Sequence, residues 1–232
     1  MMITKTIKFK DVSSTQDTAK RFVHRNEEVA ITSLCQKRGR GRQHRLWYSP
    51  VGGLYLSLIL FPQTRITSIP FLAALTIIKV LEDFGFSRLS ILWPNDVLLN
   101  NRKVCGIICE QFKKAIICGI GLNVNIEKFA HGLANATSLK LESGEDFEIE
   151  QILEQIIRRF NPLYEELQTE GLKVKEVLNY LLGLGESVEI HMAQGIVKGT
   201  VYDIDDDWTL LLRDHSGVIR KFYYGDVKRL IW

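Results

Sequence analysis

Residues 103–126, KVCGIICEQFKKAIICGIGLNVNI, decide the architecture of the chain. Two apolar runs rich in Ile, Cys and Val flank Lys113-Lys114, and the pattern predicts a β-hairpin and therefore a sheet with adjacent antiparallel strands. In the second arm a period of two puts Gly119, Gly121, Asn123 and Asn125 on one face and Cys118, Ile120, Leu122, Val124 and Ile126 on the other. The second face is core. The first is small and polar, and glycines weaken a strand unless a ligand or another backbone has to lie close against it. A bulge or tight strand packing explains the same residues more plainly.

Upstream, LSILW (89–93) and VLLN (97–100) read as strands flanking Pro94-Asn95-Asp96, with the Asn100-Asn101 pair turning the chain into the hairpin. Ser68 and Pro70 open a helix whose Phe71, Ala74, Leu75, Ile78 and Leu81 form an apolar stripe, and Gly85 ends it. GLYLSLILF (53–61) carries Leu54, Leu56, Leu58 and Leu60 on one face and Tyr55, Ile59 and Phe61 on the other, as a strand buried on both sides would. ITKTIKFK (3–10) alternates like an edge strand, SSTQDTAKRFVHR (13–25) offers hydroxyls at a helix start, and EVAITSL (28–34) is a second strand.

Downstream, Ile149, Ile152, Leu153, Ile156, Phe160 and Leu167 recur at helical spacing, with Pro162 expected to kink or split the run, and VKEVLNYLLG (174–183) gives a shorter helix. After Gly185 only short alternating runs remain, SVEIHM, IVKGTVYDI, WTLLLRD and VIRKFYYGDV, the signature of a small barrel. The expectation is an α+β chain with a mixed sheet over residues 1–184 and a β module over residues 185–232.

A chain of 232 residues with 46% hydrophobic content can bury a proper core. Its formal net charge of +3 argues against a surface that is one polyanion footprint and for a partner that is small or local. Cys35, Cys105, Cys109 and Cys118 lack CxxC spacing and read as buried small hydrophobes in a reducing cytoplasm. There is neither a signal-peptide core nor a bilayer-length apolar run, so no membrane partner is expected.

The chemistry concentrates in two places. In QKRGRGRQHR (36–45), Lys37, Arg38, Arg40, Arg42 and Arg45 crowd around Gly39 and Gly41, and no Asp or Glu lies between Glu28 and Glu82. A solvated charge run and an RG-type nucleic-acid contact are both open readings. A third uses the glycines, which let backbone N–H groups close around an anion while Arg adds forked donors. Trp93-Pro94-Asn95-Asp96 is an ordinary turn in composition, yet Asp96 suits Mg²⁺ on a nucleotide and Lys103 suits a point charge beside it. No GxGxxG opens a helix and no GxxxxGK[ST] loop occurs, so any ATP is bound by another route.

In chain order, SST (13–15), GRGR…R.WYSP.GGLYLSL from Gly39, WPNDVLL…K..GI..E from Trp93, GIGLNVN from Gly119, ATSL (136–139) and GDV (225–227) resemble the biotin protein ligases across nearly the whole chain. The resemblance implies a catalytic domain like that of class II aminoacyl-tRNA synthetases, with helices on one face of its sheet, and an SH3-like C-terminal barrel. It implies a two-step reaction: biotin and MgATP give biotinyl-5′-AMP, and a lysine of a biotin carboxyl carrier domain then takes the biotinyl group. Biotin contacts are carried over to Ser14, Thr15, Gln16, Gln36, Gly39, Arg40, Gly41, Arg42, Lys103 and Gly106. Nucleotide contacts fall on Trp47, Asn95, Asp96, Lys103, Gly121 and Asn123, with Asp96 toward the metal and Lys103, Arg42 and Arg40 as the charges that serve the chemistry.

The chain departs from the family at Leu92, where a lysine commonly precedes WPND, so Lys103 or a loop arginine has to cover that charge; Gln16 stands where the family has Asn. Competing readings are a lipoate or octanoate ligase or transferase of the same superfamily, a non-catalytic biotin sensor and an RG-loop RNA-binding protein, and both monomer and homodimer stay open. Only about 35 residues precede the basic loop, too few for a winged helix-turn-helix as well as the first strand and helix. No operator binding is expected, and sequence-specific retention of DNA in a gel-shift at physiological salt would contradict this.

Overall fold

The computed structural model describes residues 2–63, 66–192, 195–223 and 227–231. β1 (Lys5–Val12) leads to α1 (Thr15–Lys20), and β2 (Val29–Gln36) runs into a flap made of β3 (Gly39–Arg40) and β4 (Leu46–Trp47). β5 (Gly53–Leu60), α2 (Ile69–Asp83), β6 (Leu89–Leu92), β7 (Asp96–Leu99), β8 (Arg102–Phe112) and β9 (Ala115–Asn123) follow. α3 (Leu139–Ser143), α4 (Ile149–Thr169) and α5 (Val174–Leu178) precede β10 (Ser187–Met192), β11 (Gly195–Ile204), β12 (Leu210–Arg213), β13 (Ile219–Phe222) and β14 (Val227–Ile231).

The large sheet has the order β1-β2-β5-β9-β8-β7-β6, with β1 parallel to β2 and the other neighbours antiparallel. The hairpin around Lys113-Lys114 forms with Phe112 opposite Ala115. Asn100 and Asn101 both take positive φ (51° and 61°), which closes β7 onto β8 as a tight turn. β5 is buried along its whole length because its two faces serve different cores. Leu54, Leu56, Leu58 and Leu60 join the main core, while Ile59 packs with Ala19, Val29, Ile31 and Ile117 in a smaller one. The long helices α2 and α4 lie on the leucine face, and the short α1 covers the other face near the flap.

Three local readings of the sequence are refined. α4 is one continuous helix, with Pro162 inside it; that residue is exposed, so the carbonyl that loses its N–H partner can face water. α2 is buried nearly all round rather than along one stripe, because sheet and α4 clasp it from two sides. Asn125 falls beyond the end of β9 and pins a loop instead, donating to the Phe147 carbonyl at 2.8 Å and accepting from the Phe147 N–H at 2.9 Å.

The C-terminal strands form an antiparallel sheet in the order β13-β12-β11-β10-β14, and the run VIRKFYYGDV covers β13 and only the first residue of β14; part of its GDV lies outside the described residues. Trp208, in a turn at φ +63°, stacks on Phe71 of α2 with ring centroids 4.8 Å apart and planes at 26°, which ties this sheet to the main core. All four cysteines are free thiols, but only Cys105 and Cys118 are buried, Cys35 and Cys109 being half-exposed. No helix among the described residues is long and apolar enough to cross a membrane.

Trp208→Ala should lower unfolding stability by about 3 kcal/mol, the usual loss for deleting a large buried aromatic, and Trp208→Phe should recover more than half of it. Urea titrations followed by circular dichroism measure both, and a loss below about 1 kcal/mol for the alanine variant would mean the stack does not hold the two sheets together.

Candidate active site

A cleft of about 670 Å³ opens on the α1 side of the large sheet, between the flap, the Trp93-Pro94 turn and the middle strands. Its floor is β8 and β9. Strict alternation would put Lys103 and Gly106 on opposite faces of β8, yet both line the cleft, while Val104 and Cys105 point into the core. A register shift makes this possible: Val97 pairs with Cys105 and Leu98 with Lys103, so one extra residue of β8 is accommodated and Lys103 turns toward the cleft.

The glycine face is occupied by the chain's own side chains. A Cβ at Gly121 would sit 2.4 Å from Trp47 Nε1 and one at Gly106 2.7 Å from Trp47 Cζ3, so the flap's indole lies flat on both. A Cβ at Gly119 would meet Gln16 Oε1 at 2.6 Å. The sheet needs glycine at these positions for close approach, and the approaching groups are Trp47 and Gln16. Trp47 Nε1 is buried there without a hydrogen-bond partner.

At one end of the cleft, hydroxyls and amides interlock. Ser14 caps α1, and Gln36 Oε1 accepts from the Thr15 N–H at 2.8 Å and from the Thr15 hydroxyl at 3.1 Å. Gln36 Nε2 donates to Ser49 Oγ at 2.9 Å, and Ser57 Oγ lies 2.9 Å from Thr15 Oγ1 and 3.1 Å from Gln16 Oε1. Sequence reasoning missed Ser49 and Ser57. Ser57 was detectable as a lone polar residue in an otherwise apolar buried strand, which needs partners.

At the other end the flap meets the WPND turn. Arg42 Nη1 donates to Asn95 Oδ1 at 3.0 Å, Asn95 Nδ2 donates to Asp96 Oδ1 at 2.9 Å, and Lys103 Nζ pairs with Asp96 Oδ2 at 2.6 Å. Lys103 Nζ also stands 5.2 Å from the centroid of the Trp47 ring, a cation–π distance. Leu92 is half-buried against the main core, and the cations Arg40, Arg42, Arg45 and Lys103 line the cleft. Burial foremost, and then the Asp96 charge, pushes the Cys105 thiol behind them far above its ordinary range, so it stays protonated.

The ATSL segment supports Lys103 from behind. The Lys103 N–H donates to the Asn135 carbonyl at 2.7 Å and the Thr137 N–H to the Lys103 carbonyl at 2.9 Å. Asn123 Nδ2 donates to the Thr137 carbonyl at 2.9 Å, which commits that amide to the fold although the residue lines the cleft. Glu142 gathers the turn, accepting from Asn100 at 2.6 Å, Arg102 at 2.6 Å and the Thr137 hydroxyl at 2.5 Å. Burial alone would raise its carboxyl, but these donors together hold it below the ordinary carboxylate range.

The glycine-rich loop differs from its expected use. Gly39 lies behind the wall, where a Cβ would strike Ser49 Oγ at 2.4 Å, and the Gly41 N–H is spent on the Arg45 carbonyl at 2.8 Å. The left-handed residues at the flap's tip are Gln43 (φ 52°) and His44 (φ 60°). Arg40, without a carboxylate near it in sequence, finds Asp17 and Glu110 in space.

This geometry has known counterparts. The profile of the biotin/lipoate A/B protein ligase family matches residues 9–126, and that of the biotin protein ligase C-terminal domain matches residues 183–229. The bifunctional ligase/repressor BirA of Bacillus spizizenii is 34% identical, over 94% of this chain and 71% of that protein. The biotin–[acetyl-CoA-carboxylase] ligase of Paracoccus denitrificans is 30% identical, over 77% of this chain and 81% of that one. The biotin protein ligase of Aquifex aeolicus in complex with biotin and ATP superposes with a TM-score of 0.89 at 28% identity, covering 98% of this chain and 99% of that one. With the family profile matching residues 9–126 and a relative 34% identical over 71% of its own length, the chain belongs to the biotin/lipoate A/B protein ligase family.

Proposed function

We propose that this protein is an ATP-dependent biotin–[acetyl-CoA-carboxylase] ligase, which joins biotin to AMP and passes the biotinyl group to a lysine of a biotin carboxyl carrier domain. The observation that carries the reading is the relay Arg42–Asn95–Asp96–Lys103, which sets an ammonium against the WPND turn in the same cleft that holds the hydroxyls and amides. The polar end suits a ureido ring, which needs donors and acceptors together and finds both in Ser14, Thr15, Gln16 and Gln36. Gly106 and Gly121 let Trp47 lie against the sheet, and Trp47 and Asn123 border the nucleotide's share of the cleft.

In the first step a biotin carboxylate oxygen attacks the α-phosphorus of ATP, a P–O bond forms, and the bond to the pyrophosphate leaving group breaks. Both reactants are anions, so Lys103 and Arg42 lower the barrier by holding positive charge where negative charge gathers. In the second step the acceptor amine attacks the acyl carbon and loses a proton, and the acyl C–O bond to AMP breaks. The flap keeps water from the mixed anhydride between the steps. Magnesium arrives with ATP as part of the substrate; Asp96 with the phosphates fits the sparse protein coordination that ion accepts. Among the described residues no cluster of three or more His, Cys, Asp or Glu forms a metal cage. The cytoplasm, whose reducing poise keeps four thiols free, is the proposed location, and residues 1–184 and 185–232 are the proposed catalytic and accessory units.

The test is incubation with MgATP, labelled biotin and an apo carboxyl carrier domain, with transfer of label to the carrier expected. Adenylate without transfer would point to a sensor, and no adenylate would refute the proposal. Lys103→Ala should lower adenylate formation by at least about a hundredfold. Its unfolding midpoint should stay near the wild-type value, because the side chain is part-exposed. A matching loss of stability would make Lys103 a structural residue.

Glu142 yields a pH prediction. A carboxyl held low in the fold contributes stability above its unfolded value of about 4.3 and loses it as pH falls through the folded value. Wild type should therefore exceed Glu142→Gln in urea midpoint at pH 7, and the gap should close as the pH drops below about 4. A gap that does not narrow at all on acidification below the unfolded value would show that the charge is not what matters.

A further inference from the structure

Strand β8 touches the flap at two places on the same face. Gly106 takes the Trp47 indole, and Glu110, four residues or about 13 Å further along, takes Arg40. The second contact is a fork: Arg40 Nη2 donates to Glu110 Oε1 at 2.5 Å and Nη1 to Glu110 Oε2 at 3.1 Å, while Nη1 also reaches Asp17 Oδ1 at 2.7 Å. Lys20 closes the ring, 3.3 Å from Glu110 and 3.4 Å from Asp17. Two cations and two carboxylates thus balance, and the Arg40 and Glu110 side chains keep only 31% and 23% of their exposure, which sets this network apart from a freely solvated surface pair.

Arg40 sits at the root of the flap. Its backbone pairs with Leu46 and that of Gly39 with Trp47, so whatever holds Arg40 fixes the register from which both Arg42 and Trp47 are presented. We propose that Glu110, acting through Arg40, is a positioning residue for the ligation chemistry: the fork anchors the flap's root to the sheet and thereby sets how long the flap stays closed over the acyl-adenylate. The inference rests on the ligase reading and gives Arg40 a different task from direct contact with a substrate anion. Asp17 and Lys20 orient the fork from α1, which couples the helix bearing Ser14 and Thr15 to the flap.

The experiment compares wild type, Glu110→Gln, Arg40→Gln and the double variant by two readouts. One is hydrogen exchange of the Gly41 and Arg45 amides without any substrate, both of which are bonded within the flap. The other is the release rate of biotinyl-5′-AMP loaded onto the protein. Each single variant should speed both by about tenfold, the double variant should be no worse than either single, and β9 amides should be unchanged. Were Arg40 a direct substrate ligand, Glu110→Gln would free it and slow adenylate release; that result, or flap exchange equal to wild type, or additive effects in the double variant, would overturn the proposal. If wild type makes no adenylate while flap exchange still rises in Glu110→Gln, the anchor stands and the ligase reading falls.

Discussion

The site depends on two missing side chains. Because Gly106 and Gly121 face each other across β8 and β9 without Cβ atoms, an indole from a distant part of the sequence can lie flat on the sheet. Trp47 is therefore the flap's contact with the floor, and the ring gives Lys103 an apolar, electron-rich wall on one side while Asp96 supplies charge on the other. With a side chain at either glycine the indole would be displaced, and the flap, the lysine and the turn could not share one cleft.

Around that contact the fold divides its labour by sheet face. The leucine face of β5 anchors the two long helices and supplies most of the burial, so it can be rigid. The opposite face carries Ser57 and the smaller core under α1, and it is there that hydroxyls and amides are exposed to the cleft. Backbone support is shared too: the ATSL segment adds a short parallel bridge to Lys103, so the lysine is held by main-chain hydrogen bonds on both of its own backbone groups. A residue fixed this way presents its ammonium with little reorganisation when charge develops nearby, the condition under which electrostatic stabilisation is most effective.

Much of this was legible in the sequence, and the reasons are physical. Alternation exposed β5 and β9, the Lys113-Lys114 and Asn100-Asn101 breaks located two hairpins, and apolar spacing located α2 and α4. What stayed hidden depends on pairings that no local pattern encodes. The register shift near Leu98 turns Lys103 to the face of Gly106, against the alternation of β8. The partners of Arg40 come from residues 17 and 110, so a charge run that looked unpaired in sequence is neutralised in space. Asn123, correctly read as facing the polar side, spends its amide on Thr137. Pro162, by sequence a break, is tolerated because its face of the helix is wet.

Two of the site's cations are, finally, already matched by carboxylates of the chain itself. Arg40 is held by Asp17 and Glu110, Lys103 by Asp96, and Arg42 reaches the Asn95 amide oxygen. A cationic cleft with no such partners would repel itself and let the flap drift, whereas paired cations sit at defined positions. The pairs differ in a way that matters for chemistry. Arg40 is gripped by two carboxylates and a fork geometry, which suits a permanent anchor, while Lys103 has one carboxylate and a flexible stem, which suits an ammonium that exchanges one anionic oxygen for another. Replacing one carboxylate partner by an incoming carboxylate requires little new desolvation of the lysine, so in the proposed reaction the pairing that steadies the closed cleft would leave Lys103 able to meet a substrate carboxylate.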